Sequence, residues 1–281
     1  MIFFGNKKIL KIFFFLSCFA ICSRILYTEC LKEKLTYFFY NHPLGAKILS
    51  ILPRKVKHSY VRGPYILTLY QTMKDVHDVM EVTGIKYWAD YGTLLGACRH
   101  KGIIPWDDDC DITVSAQDSS LFMQKAVPLL QKLGYKIQRE SKFMIKVSST
   151  SSMIKLKPDE LYPACDVFFA EETKETFQVP LDVCGDAKPL YKKDLYPLKR
   201  YDFGSIKVWG PANPTPYLND YFGKNWSIIA CKGDDHQFKD HREASRKLFA
   251  IKKDQFAPAQ PIGPLKDNRL LMREIYAKKS S

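Results

Sequence analysis

Apolar side chains recur at helical spacing after Tyr65, at Ile66, Leu69, Tyr70, Met73, Val76, Val79 and Met80. This pattern predicts an amphipathic helix stopped by Gly84. Ile85–Ala89 reads as a short strand, Gly92–His100 as a turn running into a short helix, and Ile112–Val114 as a strand after an acidic turn. A second helix is expected over Ser120–Leu133, ended by Gly134. Tyr135–Arg139, Phe143–Val147, Met153–Leu156 and Asp166–Ala170 have the short apolar character of strands. Beyond Pro189 the chain is rich in Pro, Gly and aromatic residues, with one helix expected at Pro216–Phe222. The order of elements predicts an α/β (α+β) chain with a mixed sheet flanked by helices. The tail beyond Asp254 has little periodicity and is expected to be loosely held.

The N-terminus has a different pattern. Lys7, Lys8 and Lys11 precede an apolar run from Ile12 to Cys22, broken only by Ser17 and closed by Arg24. Extended from Ile9 to Tyr27, this segment approaches the ~20 residues needed to cross a bilayer. Phe19 and Ile21 interrupt the small-x-small pattern of a cleavage site, so an uncleaved signal anchor is the expectation, with secretion if cleavage occurs. Lysines on the N-terminal side would hold that end in the cytosol, making the chain a single-pass type II protein of the Golgi or ER membrane with a lumenal catalytic domain. The organisation expected is residues 1–27 as cytosolic tip and anchor, 28–63 as a stem broken by Pro43, Pro53 and Gly63-Pro64, 64–253 as the catalytic domain, and 254–281 as the tail.

Composition narrows the function. With 281 residues, 46% hydrophobic and 26% charged, the chain has ordinary globular usage, which excludes wholesale disorder. No repeat or low-complexity tract is visible, so solenoids and fibrous proteins drop out. The net charge of +13 favours anionic partners such as phosphates, nucleotides or lipid headgroups. The basic residues are dispersed and form no aromatic-interleaved stripe, which argues against nucleic acid. Cys18 and Cys22 fall in the apolar segment; Cys30, Cys98, Cys110, Cys165, Cys184 and Cys231 lack zinc spacing. One or two disulfides and free buried thiols both stay open. Asn225-Trp226-Ser227 is a candidate N-glycosylation sequon, whereas Asn213-Pro214-Thr215 is blocked by its proline.

The densest chemistry lies between Asp90 and Ile112. Asp107, Asp108, Asp109 and Asp111 repel one another, and a hard divalent cation, Mg²⁺ or Mn²⁺, is the simplest compensation. On an extended segment Asp107, Asp109 and Asp111 share one face. An EF-hand is a poor reading, because Ile112 stands where its glycine must be and Asp118 where its glutamate should be. Asp166 is a single acid within the apolar Cys165–Phe169 strand, costly to bury unless paired or metal-bound, so it is a candidate third ligand or general base. Upstream, Gly92 would let a phosphate approach the backbone, the Thr93 hydroxyl would donate to it, and Arg99 and Lys101 would neutralise its remaining charge.

These residues resemble the signature of the LicD family, which includes fukutin and fukutin-related protein. The matching positions are Gly92-Thr93, the acid-hydrophobic-acid run Asp109-Cys110-Asp111, a further acid at Asp107, and the later strand acid Asp166. Pro197–Pro211 and Tyr217–Trp226 are similar to the family's C-terminal block, so the resemblance runs over about Thr68–Ser227. Cys110 departs from the usual aliphatic residue but packs as a small hydrophobe. The resemblance implies a nucleotidyltransferase-like fold and transfer of a phospho-alcohol, phosphocholine or ribitol phosphate, from a CDP-linked donor to a glycan or glycolipid hydroxyl, with release of CMP. Asp107, Asp109, Asp111 and Asp166 would hold the metal, with Asp109, Asp111 and Asp166 catalytic. Two other readings fit parts of the pattern: a Golgi glycosyltransferase using Asp109-Cys110-Asp111 with a nucleotide-sugar, and an inactive lumenal glycan-binding scaffold. Homo-oligomerisation is left open by the sequence.

Overall fold

The computed structural model of the protein describes residues 35, 37–39, 41–51, 63–150, 154–157, 160–185, 187–232 and 247–280. The expected membrane anchor and much of the expected stem lie outside these residues. Among the described residues no helix is long and apolar enough to cross a membrane.

The helices are α1 (Pro43–Ile51), α2 (Gly63–Thr83), α3 (Tyr91–Arg99), α4 (Ser119–Leu121), α5 (Val127–Lys132), α6 (Lys192–Leu195), α7 (Thr215–Phe222) and α8 (Arg269–Ser280). A π-wound turn, Phe122–Ala126, joins α4 to α5. The central sheet has the strand order β1-β2-β7-β4-β3, built from Tyr87–Ala89, Cys110–Ser115, Ala164–Glu172, Met144–Ser149 and Tyr135–Ser141. Only β2 and β7 run parallel in this path; the other pairs are antiparallel. β5 (Ile154–Lys157) and β6 (Glu160–Tyr162) make a hairpin, while β8 (Thr176–Gln178) and β9 (Leu190–Tyr191) extend the end of β7. Two further strand pairings lie in the C-terminal half: β10 (Lys199–Phe203) with β11 (Ile206–Gly210), and β12 (Ile229–Lys232) with β13 (Lys247–Ala250).

The period of two along each strand sorts the sheet into an apolar and a polar face. Cys110, Ile112 and Val114 of β2, Cys165, Val167 and Phe169 of β7, and Ile145 and Val147 of β4 are all buried in the core. The apolar stripe of α2, with Ile66, Leu69, Tyr70, Met73, Val76, Val79 and Met80 buried, packs on β4 and β7. Each fully buried Leu, Ile or Phe contributes about 1.5–3 kcal/mol, so this layer fixes the sheet firmly. Asp111, Thr113, Asp166, Phe168 and Lys146 consequently point to the opposite face, where the candidate site lies.

Two expectations about the chain ends are corrected. Pro43 does not break a stem but opens α1, since proline is tolerated in a first helical turn. Ala46 and Leu49 of α1 pack against Ile229 and Ala250 of β12 and β13. Nor is the segment after Asp254 loose. Met272 of α8 is 0% exposed, Asn268 donates to both carboxylate oxygens of Asp75 at 3.0 and 3.1 Å, and the Gln71 side chain bridges to the Lys266 backbone. Its periodicity is hard to read because only one narrow stripe of α8 is buried. The four cysteines Cys98, Cys110, Cys165 and Cys184 are free thiols.

His100 closes α3 at 1% exposure, set edge-on to Trp106 and near Phe256. Arg99 donates through Nε to its Nδ1 at 3.2 Å, which requires that nitrogen to be unprotonated. Burial, with help from the Arg99 charge, pushes its pKa down to about 3. The unfolded chain takes up this proton near pH 6.5 and the folded chain does not, so stability is complete above that pH and is lost as pH falls toward 3. The stability of wild type measured by urea unfolding should therefore drop more steeply between pH 7 and 4 than that of His100→Gln, by up to about 1.4 kcal/mol per pH unit. Parallel curves for the two proteins would contradict a buried neutral histidine.

Candidate active site

β2 and β7 are parallel and in register, so Asp111 lies directly beside Asp166. Asp109, one residue before β2, joins them: carboxylate oxygens of Asp109, Asp111 and Asp166 lie within 4.8 Å of one another. Asp107, Asp108 and Asp109 form a second such group, so Asp109 is common to both. The expectation of a single extended face for Asp107, Asp109 and Asp111 is thus modified. The strand begins only at Cys110, and the preceding aspartates follow an irregular path. Asp108 is turned inward, with its carbonyl accepting from Tyr65 Oη at 2.7 Å.

Burial raises the pKa of Asp111 well above the ordinary carboxylate range, and the charges of Asp109, Asp166, Asp107 and Asp90 push it further up. A set of oxygen donors this close, desolvated and mutually repelling fits a hard divalent cation, whose charge would reverse the local balance.

The Gly92-Thr93 pair is positioned differently from the expected phosphate turn. Both residues lie in the first turn of α3, whose N-cap is Asp90. A Cβ on Gly92 would sit 2.7 Å from Asp107 Oδ2 and 3.8 Å from Asp111 Oδ2, so glycine is what allows the carboxylates to approach the helix end. The positive end of the helix dipole favours them there. The Thr93 hydroxyl oxygen accepts from the Asp111 backbone N–H at 2.7 Å, pinning α3 to the start of β2.

Arg99 ends α3 and Lys101 follows it, away from the helix start near Gly92. Gly92 and Arg99 are seven positions apart on the helix, a rise of about 10 Å. Arg99 donates instead to the carbonyls of Trp226 and Ile229, at 2.7 and 3.0 Å, and fastens the C-terminal block. Lys101 is exposed and donates to the Cys98 carbonyl. Asn225 donates through Nδ2 to the carbonyls of Phe39 and His42, each at 3.0 Å, so its amide holds the chain leading into α1. A glycan on that nitrogen would leave it only one N–H.

Two residues of the site escaped the sequence reading. Lys146 of β4 is opposite Asp166 in register, 5% exposed, with Nζ 3.7 Å from Asp166 Oδ1. Its signal was the one that exposed Asp166: a lone charge between apolar strand residues, here Ile145 and Val147. Asp90 is the other. Its buried carboxylate accepts from Tyr91 N at 2.8 Å, Thr113 Oγ1 at 2.6 Å and Tyr217 Oη, and these bonds oppose the upward pKa shift that burial imposes. Tyr217 comes from α7, so Asp90 ties the C-terminal block to the mouth of the site. Tyr91, Tyr221 and Phe168 make an aromatic wall there, with ring centroids 5.1 Å apart for Tyr91–Phe168 and 5.2 Å for Tyr91–Tyr221. Tyr217→Phe removes one donor from a buried carboxylate and should lower urea stability by about 1–3 kcal/mol. An unchanged midpoint would show that Asp90 does not depend on that bond.

The family model described as LicD/FKTN/FKRP, nucleotidyltransferase domain, matches residues 84–213. That span contains Gly92, Thr93, Lys146 and all of the clustered aspartates. An uncharacterised protein of Rickettsia prowazekii (strain Madrid E) is 35% identical over 227 residues, covering 78% of this chain and 79% of the relative. Human ribitol 5-phosphate transferase FKRP is 46% identical over 161 residues, which are 55% of this chain and 31% of the human protein. The lipopolysaccharide cholinephosphotransferase LicD of Haemophilus influenzae (strain ATCC 51907 / DSM 11121 / KW20 / Rd) is 45% identical over 47 residues, 17% of this chain and 18% of that protein. The converging aspartates, the glycine that admits them and these matches place the chain in the LicD family.

Proposed function

We propose that this chain transfers a phospho-alcohol, of the ribitol phosphate or phosphocholine type, from a CDP-linked donor to a hydroxyl of a glycan or glycolipid, releasing CMP. The observation that carries the reading is the convergence of Asp109, Asp111 and Asp166 on register-paired parallel strands, within a family that includes ribitol phosphate and cholinephosphate transferases.

Asp109, Asp111 and Asp166 would hold Mg²⁺ or Mn²⁺, with Asp107 beside them at the end of α3. Bound there, a divalent cation supplies neutralisation of the diphosphate and of the departing CMP. Phosphoryl transfer depends mostly on placement and charge stabilisation, and the residues serve those two ends. The first turn of α3, with Gly92 and Thr93, fixes the carboxylates against the helix end. The half-buried wall of Tyr91 and Tyr221, with Phe168, offers an apolar surface for the organic part of a ligand and excludes water. In the reaction the acceptor oxygen forms a bond to phosphorus, the bond from phosphorus to the CMP oxygen breaks, and the hydroxyl proton passes to a carboxylate oxygen, for which Asp166 is our candidate. A membrane anchor within residues 9–27 and a lumenal site belong to the same proposal; they suit a glycolipid or secretory-pathway acceptor.

Asp111→Asn separates function from folding. It should reduce CMP release from CDP-choline or CDP-ribitol, followed by ³¹P NMR with Mn²⁺, by about a hundredfold or more. The same change removes a desolvated charge repelled by its neighbours, so in metal-free buffer the variant should be more stable than wild type by about 1–2 kcal/mol. Wild-type turnover by the variant, or consumption of UDP- or GDP-sugars in place of CDP-alcohols, would refute the proposal.

A further inference from the structure

Across β2, β7, β4 and β3 the register sets Asp111, Asp166, Lys146 and Gln138 in one row on the polar face. Lys146 is nearly inaccessible and lies between the acidic trio and the far edge of the sheet. A buried ammonium needs an anionic partner, and Asp166 serves as one at 3.7 Å. Asp166 is also the trio member contributed by β7, whereas Asp111 lies on β2 and Asp109 just before it, and the trio depends on Asp166 for closure. Lys146 and a bound cation would therefore draw on the same carboxylate from two sides.

We infer that Lys146 makes cation binding and donor binding interdependent: it competes with the cation for Asp166, and a donor phosphate resolves the competition by accepting the ammonium. The inference rests on the phosphotransferase reading and deepens it, by assigning an anion-binding group that faces the diphosphate from the strand beyond the acids. Two neighbouring positive centres repel, and an anion bridging them removes the penalty. A cation alone is then bound weakly, the donor alone weakly, and each strengthens the other by the same factor, as linkage requires. Lysine suits the task, since its three rotatable donors allow it to leave a carboxylate for a phosphate oxygen without moving the strand. Lys146 is thus a phosphate-binding and positioning residue whose effect on the cation acts through Asp166.

The test is calorimetric titration of the full chain with Mn²⁺, with and without CDP-choline, corrected for Mn²⁺ bound by the nucleotide in solution. Wild type should show the donor tightening Mn²⁺ by roughly tenfold or more. Lys146→Met should bind Mn²⁺ alone more tightly than wild type, lose most of the tightening by donor, and raise the KM for donor. Lys146→Arg keeps the charge and should retain most of the coupling, which leaves the test decisive even where the methionine variant fails to fold. Undiminished coupling in Lys146→Met, or a loss in Lys146→Arg as large as an uncharged residue gives, would overturn the inference. Wild type that binds Mn²⁺ with no effect of donor would overturn it while leaving the transferase reading standing; wild type that binds no Mn²⁺ would overturn both.

Discussion

The pairing of Asp111 with Asp166 across the one parallel step of the central path, β2 to β7, is the constraint around which the rest of this protein is arranged. Register pairing forces two carboxylates to be neighbours, and Asp109 adds a third at the strand entrance. Such a cluster is unfavourable in a desolvated setting, and it persists because the surrounding fold leaves it no alternative. The apolar sides of β2, β4 and β7 are locked beneath α2, so the acids cannot rotate inward. The Thr93 hydroxyl accepts the Asp111 N–H, Gly92 clears space for Asp107, and Lys146 offsets part of the charge from the next strand. Local instability of this kind is expected where a site is prepared for a ligand of opposite charge.

The supports reach well beyond the acids. Asp90 follows β1, caps α3 and receives Tyr217 from α7, so one buried carboxylate joins the acidic segment to a block more than a hundred residues downstream. Arg99 does the same from the other end of α3, through the carbonyls of Trp226 and Ile229. The helix therefore works as a brace with an anchored residue at each end. The family match stops at residue 213, yet α7 and β12 supply partners for both anchors.

Features set by short-range periodicity were readable from the chain. The stripe of α2, the strand at Ile112 and the exclusion of Asp111 from the apolar face all follow from spacing, and the lone acid in Cys165–Phe169 marked Asp166. Long-range pairing was not readable: nothing local says that Asp166 registers with Asp111 on one side and with Lys146 on the other. The position of Arg99 shows what spacing alone leaves out. Nearness in sequence to Gly92 suggested a shared ligand, but a helix carries residues seven apart to opposite ends. Gly92-Thr93 was expected as a turn, whereas the Asp90 cap starts the helix before the glycine. The C-terminal helix and α1 were hidden because each buries only a few side chains against the domain, leaving no strong pattern in either segment.

What would unite these features is the divalent cation proposed between the two strands, and its position can be observed directly. Crystals of the protein soaked in Mn²⁺ and measured at the manganese absorption edge should give an anomalous peak among the carboxylates of Asp109, Asp111 and Asp166. Carboxylates that stay in place with no peak between them, at Mn²⁺ concentrations that support turnover, would contradict the account.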